Sequence, residues 1–300
     1  MELSILMRLR IAAVVAIGAV IIGYFAWPLA QPQDPYGVVS FIAGNMTRDS
    51  AFKVAALAVL CSLLAFFVSW PYGKYLSILP VPSGFAVWAL RSGNMAELMR
   101  QNPTAAERLR LYSQIKWEAF SWLAIVALGF LVSYICQKFL VQNSNSSTTS
   151  KNYPLKSYHI TFALAVGISV LLVKILLLVF AQDIKSTDDK IGDVIVQVTA
   201  AQTIFAVLVS FCIVAFVVKK FLDIGYVCPI IATALIHPAV IAVYIKPEVM
   251  HRLVEYWPVV FYPNAIVSIL PIQMVAFGTL GSIAGYWLAV RYNYWRTHEN

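Results

Sequence analysis

Apolar runs long enough to cross a lipid bilayer recur along the 300-residue chain, separated by short polar or proline-containing stretches. A spanning helix needs about 20 consecutive apolar residues, because backbone polar groups in lipid must be satisfied within the helix itself. By that measure the pattern predicts seven spans, at about 11–29, 51–70, 117–137, 158–181, 195–218, 224–246 and 265–290, with six to eight compatible with it. The fold class expected is an all-α polytopic integral membrane protein. Its parts are an N-terminal two-span hairpin (1–70), a basic loop (71–116) and a five-span bundle (117–300).

Small residues mark three of these spans. Ala12, Ala16, Ala19, Gly23 and Ala26 fall on one face of the first, and Ala51, Ala55, Ala58, Ser62, Ala65 and Ser69 on one face of the second. Small faces let helix backbones approach closely where lipid supplies no hydrophobic drive to associate, so the two are expected to pack as an antiparallel hairpin. The last span carries Gly278, Ser282, Gly285 and Ala289 on one face, with a GxxxG at Gly281 and Gly285.

Between the second and third spans, Pro71, Pro80 and Pro82 interrupt the apolar pieces Tyr75–Leu79 and Phe85–Leu90. Residues 75–90 read as an interfacial or re-entrant piece, too short and too broken for an ordinary span. Asn94 with Glu97, and Thr104 with Glu107, have capping-box spacing and mark two helix starts. The second of these helices meets no Pro or Gly until Gly129, so it is expected to run from water straight into the third span. Its stem sets Leu109, Tyr112, Ile115 and Lys116 on one side, with Arg108 opposite. Arg91, Arg100, Arg108, Arg110 and Lys116 thereby form a candidate stem for docking anionic lipid or a partner.

Composition agrees with this picture. Hydrophobic residues make up 60% of the chain and charged residues 12%, too little polar surface for a soluble domain of this length. The net charge of +8 comes from basic residues flanking apolar runs, not from a patch interleaved with aromatics, so nucleic acid is not an expected partner. Basic flanks instead suit anionic headgroups and the positive-inside rule. Cys61, Cys136, Cys212 and Cys228 are too far apart in sequence for a zinc or CxxC motif. The basic N-terminus reads as an uncleaved first span in a bacterial inner membrane, with the N-terminus cytoplasmic. Seven spans would put Arg8, Arg10 and the whole of 71–116 on that side, and Lys219, Lys220, Arg291 and Arg296 on the other.

Ionisable groups at membrane depth are costly and are functional candidates for that reason. His237, followed by Pro238, lies near the middle of the sixth span, where the prolines can free backbone carbonyls as in transporters. Lys174 lies near an end of the fourth span, within reach of Glu118. Gln197, Thr199, Gln202 and Gln273 are candidates for hydrogen bonds between helices. Asp188, Asp189 and Asp193 read D-D-x-x-x-D. Loops of this kind hold magnesium and diphosphate in prenyl-transferring membrane enzymes, which generally use two such clusters. Only one is present here, so a solvated acidic loop is expected. No pair of histidines is placed to bind haem, and no cofactor is expected. These signals favour a non-enzymatic subunit or assembly component docking other membrane proteins. A small-solute or proton-coupled transporter centred on His237 is the alternative, and a lipid- or prenyl-modifying enzyme the third.

Overall fold

A computed structural model describes residues 5–42, 46–140 and 155–298. Helix α1 (Ile5–Gly18) continues as a π-wound stretch (Ala19–Phe25) and a short α2 (Trp27–Ala30). There follow α3 (Arg48–Val68), α4 (Gly73–Leu76), α5 (Pro80–Arg91), α6 (Met95–Gln101), α7 (Ala105–Leu140) and α8 (Leu155–Phe180). Strands β1 (Lys185–Asp188) and β2 (Gly192–Val196) lead to α9 (Ala200–Leu222), α10 (Val227–Tyr244) and α11 (Pro247–Tyr256). A two-residue β3 (Phe261–Tyr262) and a 3-10 turn (Ala265–Ser268) precede α12 (Pro271–His298). Among the described residues seven helices are long and apolar enough to cross a membrane, so the chain is an all-α polytopic membrane protein.

The most extensive seam joins α9 and α12. A Cβ on Gly281 would strike the Leu208 carbonyl, and one on Gly285 the Cys212 carbonyl. The GxxxG therefore works as its spacing implies: the helices meet backbone to backbone. The small face of α3 is buried at Ala58, Ser62, Ala65 and Ser69, but it packs chiefly on α7, where Ser62 faces Gly129. On the first span the expected small face packs only at its later positions, Gly23 and Ala26, and not through α1. Ala12 and Ala16 are exposed, whereas Val14, Gly18, Ile22 and Gly23 are buried, and the principal neighbour is α5. The closing of 19–25 into wider π turns separates Gly18 from Gly23 by five residues and still aims both at α5.

Helix α5 lies inside the fold. Pro80–Ala86, Trp88 and Ala89 are buried against α1, its π extension and α12. It starts on Pro80 at N1, a position where the missing N–H would have had no partner anyway. It runs in the same direction as α1: Pro80 meets Gly18, Val87 meets Gly23, and the Arg91 guanidinium sits 4.2 Å from the Trp27 ring centroid. Before α4, Tyr72 lies under the Arg10 guanidinium at 5.5 Å. Residues 72–91 thus traverse the same depth as residues 10–27 of α1, about 25 Å at 1.5 Å per residue. The 75–90 stretch, expected as an interfacial or re-entrant piece, is a broken helix that runs between the two ends of the bundle.

Helix α7 returns in the opposite direction. Glu118 near its start bonds to residues 40 and 41, while Ser133 lies 2.8 Å from the Ser77 hydroxyl. The bundle therefore has two distinct ends. A basal end carries Arg8, Arg10, Lys74, Lys138, Lys219, Lys220, Arg291 and Arg296, with Asp223 the one acidic residue among the described residues there. Arg8 and Arg10 lie at this end and residues 91–116 at the other, so these two basic groups do not share a side as expected. The C-terminal half of α12 reaches the basal end: Lys220 packs on Tyr292 and Tyr226 on Tyr286.

The opposite end is a folded cap, and it contains the only β structure among the described residues. Loop 182–194, expected as a solvated acidic loop, is a β-hairpin, turned at Gly192 in the left-handed region (φ 81°) and joined by β3.

Candidate functional site: the cap and the groove beneath it

The cap is assembled from segments far apart in sequence, each placed by a local signal. Asn94 caps α6 by accepting from the Glu97 amide at 3.0 Å. Thr104 and Glu107 exchange backbone and side-chain bonds as a full capping box at the start of α7. The Gln197 side-chain oxygen then accepts from the Ala96 amide at 2.7 Å and from the Tyr262 hydroxyl at 3.3 Å, tying α6, β2 and β3 together. Burial pushes the Tyr262 phenol well above its ordinary range, which keeps it a neutral donor.

Arg108 is the largest charge in the cap interior. It is 1% exposed, on the same inward face as Tyr112 and Ile115, and not opposite them as the stem pattern implied. It donates to the carbonyls of Asn102 and Val259, and Tyr112 donates to the carbonyl of Val267. A buried guanidinium with carbonyl partners locks the non-helical segment 257–270 onto α7. That segment can depart from helix at this depth because its backbone is enclosed by protein. The other stem cations diverge: Arg91 stacks on Trp27, Arg100 pairs with Glu97 at 3.3 Å, Arg110 is exposed, and Lys116 lies against Trp117.

Glu118 has a different role from the one its sequence position suggested. It does not meet Lys174, whose ammonium lies over the Tyr244 ring at 5.4 Å. It accepts instead from the Ser40 hydroxyl (2.6 Å), the Phe41 amide (3.0 Å) and the Trp122 indole (2.9 Å). Three donors on one buried carboxylate pin loop 38–42 to α7, beneath a cluster of Phe41, Phe85, Trp88 and Trp122 rings. Nothing near Glu118 in the sequence signals this, because the two donors from the loop, a serine hydroxyl and a backbone amide, lie nearly 80 positions away.

The remaining candidates separate. Gln202 donates to the carbonyls of Phe180 and Gln182, bridging α9 to the end of α8. Gln273 accepts from Leu270 and so caps its own helix α12. Buried His237 bonds to the Leu270 backbone, leaving Nε2 without a partner among the described residues. The three aspartates of the hairpin are not arranged as a metal site. Asp188 holds the turn by accepting from Lys190 and Ile191, Asp193 pairs with Lys185 at 2.6 Å, and Asp189 projects outward. Lys185 and Thr187 hold the Asp193 carboxyl below its usual range. Among the described residues no three His, Cys, Asp or Glu side chains converge on a point that could hold a metal ion.

Beneath the cap, α7 and α10 diverge to leave a groove of about 470 Å³. Leu109, Tyr112, Ser113, Lys116 and Trp117 line one wall, and Pro238, Ile241, Ala242, Ile245 and Pro247 the other. Comparison with protein-family models, with curated proteins and with solved structures finds no match.

Proposed function

We propose that this multi-pass membrane protein is a non-enzymatic subunit whose cap docks a partner on the membrane surface. The observation that supports the reading most is the cap itself. Residues from 91–116, 182–199 and 246–264 are joined by long-range bonds from Gln197, Arg108 and Tyr262 into one fixed surface at one end of the bundle. That surface mixes charges, with Arg110, Arg252 and Glu255 among its exposed groups. A prearranged polar face lowers the ordering cost of association. The excess of basic groups at the basal end supports, through the positive-inside rule, a reading in which that end faces the cytoplasm of a bacterial inner membrane. Eight passes, counting α4–α5, then leave the cap on the far side. A photo-crosslinking residue at Arg110 is expected to give one adduct of fixed size in native membranes, lost on Arg252→Glu. Recovery of free monomer alone, in mild detergent and after crosslinking, would sink the reading.

A second reading, transport, draws support from His237. Its unpartnered nitrogen lies next to Pro238, one of the groove residues. Loss of solute uptake in His237→Ala with normal assembly would favour it over the subunit reading.

A further inference from the structure

We infer that the groove between α7 and α10 is a binding site for one anionic phospholipid of the cap-side leaflet. The helices are antiparallel, so the groove runs along their axes from Leu109 and Pro247 at the cap mouth to Trp117 and Pro238 at the inner end. The eight steps from Leu109 to Trp117 span about 12 Å, most of the roughly 15 Å depth of one leaflet's hydrocarbon. Its volume falls within the range of pockets that enclose small ligands.

The walls are apolar apart from Ser113, Lys116 and the Tyr112 hydroxyl. The Ser113 hydroxyl is taken by the Arg110 carbonyl and the Tyr112 hydroxyl by that of Val267. Lys116 is different. Its ammonium has the Trp117 ring at 5.5 Å, and no carboxylate lies within ion-pair distance of it among the described residues. A half-buried lysine in an apolar groove at the membrane flank is favoured by an anion, and side chains on a helix lean toward its N-terminus, here toward the cap and the headgroup layer. Lys246, exposed between the lining residues Ile245 and Pro247, adds a second positive charge at the mouth. A phosphodiester on Lys116 with its acyl chain passing Trp117 and Pro238 satisfies both the charge and the apolar walls. A zwitterionic lipid carries its own ammonium and leaves the Lys116 charge without a net counterion. The site is independent of whether the cap docks a partner.

The test is native mass spectrometry of the full chain released from nanodiscs of phosphatidylglycerol and phosphatidylcholine mixed equally. One phosphatidylglycerol is expected to stay bound in preference to phosphatidylcholine. Lys116→Gln should lower its retention about fivefold, the contribution typical of one cation near a membrane surface. Lys116→Arg should restore it, and Lys220→Gln at the basal end should leave it unchanged. Ala242→Trp, which fills the groove, should abolish retention. Equal retention of both lipids, or Lys116→Gln matching the parent protein, would overturn the assignment. So would a photo-crosslinker at Ala242 that labels a protein in native membranes and not lipid.

Discussion

Two seams in this molecule rest on glycine, and they hold in different ways. Between α9 and α12, Gly281 and Gly285 bring two long helices together carbonyl to Cα, with Phe211 and Thr233 closing around Gly278. Between α1 and α5, Gly18, Gly23 and Gly84 do the same for a helix of only 12 residues. The first seam is long enough to stand on packing alone. The second is short, and polar bonds anchor its cap end: the Gly93 amide to the Gly37 carbonyl, the Val39 amide to the Ser92 hydroxyl, and the Glu118 clamp on residues 40 and 41. Where the length of a helix limits its packing, this protein adds hydrogen bonds at its end.

The sharpest way to break the comparison is Gly285→Leu. The added Cβ would meet the Cys212 carbonyl, which is rigid helical backbone, so α9 and α12 must move apart. Overpacking of this kind costs about 3 kcal/mol or more. Thermal unfolding in detergent should show the largest loss of any variant considered, and cysteine crosslinks across α9–α12 should fail while those across α1–α5 persist.

Glu118→Ala attacks the second seam through its anchor. It leaves the Phe41 amide, the Trp122 indole and the Ser40 hydroxyl without their acceptor, at a cost of about 2–3 kcal/mol. Protease access to loop 31–42 should rise, with α9–α12 crosslinks unaffected. Gly84→Leu should cost less, about 2 kcal/mol, because its new Cβ meets Ile22 Cβ at 2.5 Å and the Gly18 carbonyl at 2.8 Å, a less severe approach to backbone than that of Gly285 to the Cys212 carbonyl. A Gly84→Leu protein less stable than Gly285→Leu would reverse the ranking of the two seams.

The difference in how the seams are held also explains which could be read in the sequence. Gly281 and Gly285 lie four apart on one span, so a single helix carries the whole signal. The α1–α5 contact needs Gly18 and Gly23 five apart, a spacing that makes one face only in π-wound backbone. Pro80 and Pro82 read as helix breakers because a proline's position relative to a helix start is invisible until the start is known. Arg108 read as a surface charge because its partners are the carbonyls of Asn102 and Val259, which any sequence could supply. The capping boxes, the seven long apolar helices and the α12 face were legible, being local patterns. The cap was not, since each of its ties joins residues about 65 to 150 positions apart.

Ser92→Ala is a gentler probe of the anchor. It removes the one acceptor given to the Val39 amide, which lies on a buried residue, for about 1 kcal/mol. A drop of that size in unfolding free energy with crosslinks intact across both seams would confine the effect to the loop. A loss as large as that of Glu118→Ala would mean that loop 38–42 is held at Ser92 and not at Glu118.

The smallest effect, and the most discriminating, belongs to Glu118→Gln. Oε1 takes the Phe41 amide and the Trp122 indole, and Oε2 takes the Ser40 hydroxyl. A glutamine can keep its carbonyl oxygen on the first two, and its amide can donate to Ser40 once that hydroxyl turns to accept. If the clamp is a matter of hydrogen-bond geometry, the variant should lose less than about 1 kcal/mol and keep protease resistance in loop 31–42. If the clamp depends on the negative charge, Glu118→Gln should fall with Glu118→Ala. The short seam would then be held by electrostatics and not by the count of its bonds.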